Sequence, residues 1–231
     1  MKKLALAAAM AGFVMSLSCA TANATVLDFV ALANSGEKAV LGDFSLGGFT
    51  VTAHGSNADP ITGNVPAGFD GSFTNPYAYL DKGAGMGVCQ NITATLQCTP
   101  SSDDNVTGAN PGVIEILSTS FNQAVKVTNL IFKAEGHTFL FDATDVIDIS
   151  IDGLTWVTYN LLDNGSGMLF GNPLFILAGN EFLHFRFNNE QFYLAAAEVN
   201  AIPVPPALML MGTALLGMGL LGRRRKRKAA V

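Results

Sequence analysis

The sequence predicts an all-β protein, a jelly-roll-like antiparallel β-sandwich with an N-terminal signal helix before it and a C-terminal transmembrane helix after it. Three observations carry that prediction. After Pro111, apolar runs recur at short spacing with polar turns between them. Two of those runs alternate with the period of a half-buried strand. Helical periodicity is weak away from the termini, with residues 26–38 the one stretch where a short helix competes. Many short strands joined by polar turns bury their apolar faces most economically as two facing sheets.

In chain order, residues 25–110 are rich in Gly, Asn, Asp, Ser and Pro, which predicts long loops interrupted by short apolar pieces such as 44–52. Strands are then expected over 113–117, 125–133, 138–141, 146–151, 156–159, 175–177, 181–187 and 192–199. Ile147, Ile149 and Ile151 alternate with Asp148, Ser150 and Asp152, which places the two aspartates on a solvent face. Asp152 and Gly153 supply a tight hairpin turn to the next strand. In 182–187 the phenylalanines imply one buried face. Gly83, Gly85 and Gly87 read as a turn, because no helix follows as a phosphate loop requires.

The ends of the chain read as addresses. Lys2 and Lys3 precede an apolar run to Leu17, and Ala22, Asn23 and Ala24 are small enough for signal peptidase, so cleavage before Thr25 is expected. Cys19 would suit a lipoprotein signal, but Ser16 stands where that motif takes a large aliphatic residue. At the other end, Pro203, Val204, Pro205 and Pro206 lead into an apolar stretch and then Arg223, Arg224, Arg225, Lys226, Arg227 and Lys228. Residues 206–222 would span roughly 25 Å as a helix, against a hydrocarbon core of about 30 Å, and the long basic side chains can snorkel to the interface. The division is a signal peptide over 1–24, a β-sandwich ectodomain over 25–200 and a sorting or anchor segment over 201–231.

This arrangement of signal peptide, proline motif, apolar helix and Arg cluster resembles the PEP-CTERM class of exported bacterial proteins. The resemblance covers the two termini, and the proline motif is the Val-Pro-x-Pro variant, lacking the glutamate of the name-giving form. It implies signal peptidase and an exosortase as processing enzymes and transient anchoring in the inner membrane of a Gram-negative bacterium. The destination it implies is the cell surface or extracellular space, often in polysaccharide-producing species. An ordinary tail anchor with positive-inside flanks is the competing reading.

Charge divides along the same lines. Between Thr25 and Asn200 the basic residues are Lys38, Lys82, Lys126, Lys133 and Arg186, five against all eighteen acidic residues, a formal −13 for the exported part. Such a surface argues against nucleic-acid partners, whose phosphates need basic residues, and suits solubility or cation binding. Cys89 and Cys98 remain after signal cleavage, in an oxidising compartment, and are expected to pair, closing a loop worth roughly 2 to 3 kcal/mol. The rival is a metal site, for which the spacing and the absence of a nearby His are poor.

Two internal segments carry further resemblances. IDISIDGLTWVTYN looks like the strand, DG turn and strand of discoidin-like and other carbohydrate-binding sandwiches. The stretch from Gly85 through Asp103, Asp104 and Asn105 to Glu115 looks like a module of PEP-CTERM proteins in which a Gly-x-Gly-Val run precedes an acidic loop and a glutamate-bearing strand. Neither implies an activity. Asp103, Asp104, Asn105 and Glu115 are oxygen ligands that calcium would suit, against the alternative that Asp and Asn here are turn formers bonding the local backbone. Asp142, Asp145, Asp148 and Asp152 form a second acidic series, and Tyr77, Tyr79 and Phe73 a candidate aromatic platform for sugar rings. His54, His137 and His184 lie at neither metal nor triad spacing, and no nucleophile elbow or HExxH helix occurs, so no catalytic residue is assigned. The expected function is a non-catalytic surface or matrix protein binding exopolysaccharide. The alternatives are a glycan hydrolase using Asp103 with Glu115, and a purely structural surface protein.

Overall fold

The computed structural model describes residues 24–108, 113–163 and 165–203. The expected signal peptide lies outside them except for Ala24. So do Val204, Pro205, Pro206, the apolar stretch and Arg223, Arg224 and Arg225, while Pro203 is exposed just beyond the last strand. Among the described residues, no helix is long and apolar enough to cross a membrane.

Strand β1 (Thr25–Asp28) runs into helix α1 (Phe29–Ser35). Then come β2 (Lys38–Ala39), β3 (Phe44–Leu46), β4 (Phe49–Asn57), β5 (Tyr77–Asp81), β6 (Gly85–Cys89) and β7 (Glu115–Phe121). The rest are β8 (Val125–Ala134), β9 (Val146–Ser150), β10 (Val157–Asn160), β11 (Met168–Leu177), β12 (Phe182–Phe187) and β13 (Phe192–Ala201). They form an all-β sandwich of two antiparallel sheets. One has the order β11-β8-β13-β6-β5-β2, and the other β10-β9-β12-β7-β4-β3. Strand β6 meets β13 at Met86 and Leu194, and β1 pairs with β13 further along, from Asp28 with Ala196 to Thr25 with Val199.

The core lies between the sheets. Leu130, Phe132, Leu194 and Val199 come from one side, and Leu117, Ile147, Ile149, Leu183 and Phe185 from the other, all fully or almost fully buried. Phe132 packs edge-on against Phe185 across the layers at 5.8 Å between ring centroids, and against Phe192 at 5.6 Å.

The hairpin from β9 to β10 turns through Asp152 and Gly153 as expected, with Gly153 at φ 69° and Asp152 Oδ1 accepting from the amides of Leu154 and Thr155. Residues 26–38 divide. Asp28 caps the helix by accepting from Ala31 N, and the residues before it pair with β13. Three expectations need correction. The region before Asn110, read as mostly loop, contains β1 to β6. Residues 138–141 form no strand, because the chain leaves β8 through a tight turn with His137 at φ 65°; Phe141 then reaches the core while Leu140 faces solvent. Asp148 is not on a solvent face: it is 4 % exposed and paired with Arg186.

Candidate functional site

The residues of the Gly-x-Gly-Val module come together as a covered polar seam. Cys89 and Cys98 form the expected disulfide, tying the end of β6 to the following loop. Strand β6 carries glycine at alternate positions, and at Gly87 an added Cβ would lie 2.0 Å from the Asp104 carbonyl oxygen and 2.8 Å from Asn105 Cα. Glycine is thus what lets the acidic loop lie flat on the sheet. The loop is held by side chains. Asp103 Oδ2 accepts from Gln90 N at 3.2 Å, Asp104 Oδ1 from Tyr193 Oη at 2.6 Å, and Asn105 Nδ2 donates to Gln191 at 3.0 Å. Glu115, fully buried, accepts from Gln90 Nε2 at 2.5 Å and from Thr107 N at 3.0 Å.

The residues offered as calcium ligands take other partners in this geometry. Asp104 turns to Tyr193 while Glu115 and Asp103 turn to Gln90, so the four candidate ligands do not share a centre. Among the described residues, no group of three or more His, Cys, Asp or Glu side chains is arranged to hold a metal. The hydrolase pair fares no better as an open site, since Asp103 is 2 % and Glu115 0 % exposed. Burial pushes the Glu115 carboxyl up to about 8, against the opposing hydrogen bonds from Gln90 and Thr107. Beside the seam, burial and the neighbouring Asp104 push Asp81 up to about 6, with His137 Nε2 at 2.7 Å pulling the other way. The aromatic platform does not form. Tyr79 is buried, donating to Glu37 at 3.0 Å, while Phe73 packs against His54.

A second site, which the sequence reading missed, lies on the face of the β4-β7-β12-β9 sheet that points away from the core. Alternation sends Ser56, His54, Ser118, His184, Arg186, Asp148 and Ser150 to that side. In register, His54, Ser118, His184 and Ser150 form one row across four strands, and Ser118 Oγ and His184 Nδ1 share a hydrogen bond of 2.7 Å. Polar residues can be buried here because residues 58–76 fold over them. Trp156 Nε1 donates to Asn64 at 3.0 Å, Val65 N to the Gly153 carbonyl at 3.0 Å, and Arg186 to the Gly63 carbonyl. Arg186 also stacks on Trp156 at 4.2 Å while it pairs with Asp148. Further along, Phe69 packs against His54, Phe182 and His184.

The covering loop leaves a groove on each side of its 66–69 stretch. One, of about 340 Å³, is bounded by Ser56, Asn57, Asp70, Ser72, Thr74 and Asn75. The other, of about 380 Å³, is bounded by Val65, Asp152, Leu154, Glu181, Phe182 and His184. Phe69 lines both. Burial lowers His54 and carries His184 down to about 4, so both imidazoles are neutral at pH 7. Hydrogen bonds from Ser72 lower Asp70, and those from Thr155 and Leu154 lower Asp152, so both are ionised there. The signals in the sequence were His184 and Arg186 between the phenylalanines of one strand and the single Trp156 after a DG turn, and none identifies the loop that covers them.

No protein-family model matches this chain, and no curated protein matches it.

Proposed function

We propose that this is an exported cell-surface or extracellular-matrix protein, a non-catalytic β-sandwich delivered by the PEP-CTERM-like signal, whose work is binding exopolysaccharide. Signal peptidase and an exosortase are its processing enzymes in this reading, and the inner membrane holds it before release. The observation that carries the binding role is the pair of grooves on the outer sheet face, lined by hydroxyl, amide and aromatic groups. The two carboxylates offered as a hydrolytic pair are both buried, which favours binding over catalysis. Strand order supports the finer fold reading. From β6 to β13, β6, β8, β11 and β13 fall in one sheet and β7, β9, β10 and β12 in the other, as in a jelly roll, and β5-β2 and β4-β3 extend its two sheets.

The test is co-sedimentation of the purified full-length chain with exopolysaccharide isolated from the cells that make it. Retention in the polysaccharide pellet is the expected result. A chain that stays in the supernatant at every polysaccharide concentration overturns the binding role.

A further inference from the structure

The geometry points to the two grooves flanking Phe69 as one continuous binding site for an uncharged polysaccharide, with Ser56 and Asn57 on one side and Phe182 and His184 on the other. This rests on the proposed polysaccharide binding and specifies where the chain lies and which chemistry it has.

Three observations lead there. First, Ser56 Oγ is buried without a hydrogen-bond partner among the described residues, in a residue only 7 % exposed that lines the smaller groove. A hydroxyl removed from water and left unpaired costs free energy that a ligand hydroxyl can return. Second, the lining mixes two kinds of surface. Ser72, Thr74, Asn57 and Asn75 offer donors and acceptors, while the half-buried Phe69 forms a wall common to both grooves. A pyranose ring has the same two-sided character, with hydroxyls around its edge and C–H bonds on its faces. Third, among the described residues no lysine or arginine lines either groove, while Asp70 lines one and Asp152 and Glu181 the other. A polyuronate or sulfated glycan would bring like charge against these carboxylates, on a domain already at −13. An uncharged chain meets no such penalty.

Other features carry less. The exposed Phe139 and Leu140 in the β8–β9 connection have nothing in the structure to say what would cover them, and the Asp81–Asp104–His137 group borders the seam already described.

Affinity electrophoresis of the full-length chain tests the site, with gels cast in dextran, mannan, galactan or alginate. Retardation by at least one of the three neutral polymers, and none by alginate, is expected. Phe69→Ala and Ser56→Val should each weaken it by about tenfold, the scale of a buried contact worth 1.4 kcal/mol. Thermal unfolding of each variant shows whether the sandwich is intact. Should Phe69→Ala fail to fold, Thr74→Lys, which fills the rim of the smaller groove from an exposed position, takes its place. Binding to neutral glycan that all these variants leave unchanged overturns the site but not polysaccharide binding. Retardation by alginate alone overturns the assigned chemistry, and no retardation in any gel overturns the site together with its ligand class.

Discussion

Glu115→Gln should change stability in opposite directions at the two ends of the pH range. The carboxyl is fully buried, and burial moves it from 4.5 up to about 8. A carboxyl raised by folding holds its proton more tightly in the native state. Its contribution is therefore fully present below about pH 4.5 and is lost as pH rises through 8. Each pH unit of that window costs up to about 1.4 kcal/mol, or ~5 kcal/mol over the whole of it, a large part of the stability of an ordinary domain. Asp81, at about 6, and Glu190, at about 7, act with the same sign, while His184, at about 4, acts oppositely below 6.5. The difference between wild type and variant removes these common contributions. Glutamine cannot ionise, but its amide nitrogen must face either Gln90 Nε2 or the Thr107 amide, donor against donor, at a cost of about 1–3 kcal/mol. The variant should thus be less stable than wild type by ~0–2 kcal/mol at pH 5, where about 0.8 kcal/mol of the carboxyl's contribution is already gone, and more stable by ~2–4 kcal/mol at pH 9. Urea unfolding followed by the fluorescence of the single tryptophan, Trp156, measures both. A difference that does not vary with pH would refute the reasoning.

Three further outcomes follow from the same geometry. Gly87→Ala drives a methyl into the Asp104 carbonyl, a backbone atom that cannot swing aside, and should destabilise by roughly 1–3 kcal/mol, lowering Tm by several degrees; an unchanged Tm contradicts the close approach. Arg186→Met leaves the buried Asp148 carboxylate without its counter-ion, with only the Thr158 and Asn188 hydrogen bonds, at up to about 3–5 kcal/mol, and adding Asp148→Asn should restore much of that loss in chemical denaturation. Replacing Cys89 and Cys98 together by serine should cost roughly 2 to 3 kcal/mol, and equal denaturation midpoints for the two proteins would count against a tethering role for the disulfide.

Sandwich class, the β9–β10 hairpin and the strands β8, β12 and β13 were legible because each has an apolar face at period two or a turn with strong chemistry. Strands β4 and β6 were not. FTVTAHGSN and GMGVC carry small and polar residues whose burial comes from the covering loops, and all five residues of β6 are buried. The same cause hid the outer-face site: Asp148 and His184 look solvent-facing until residues 58–76 fold over them. Cysteine pairing was readable from compartment and count. Proximity in sequence suggests Asp103, Asp104, Asn105 and Glu115 as one ligand set, but local hydrogen bonding turns Asp103 and Glu115 to Gln90, Asp104 to Tyr193 and Asn105 to Gln191, which no spacing rule conveys.

The central claim is export of an acidic sandwich by its two terminal signals. Intact-mass and N-terminal analysis of the protein from fractionated cells tests it most directly. The account predicts a chain beginning at Thr25, recovered from the cell surface or medium, with the Arg cluster absent from the released form. Full-length chain with Met1 and Arg223 still attached, accumulating in the cytoplasm, would contradict it.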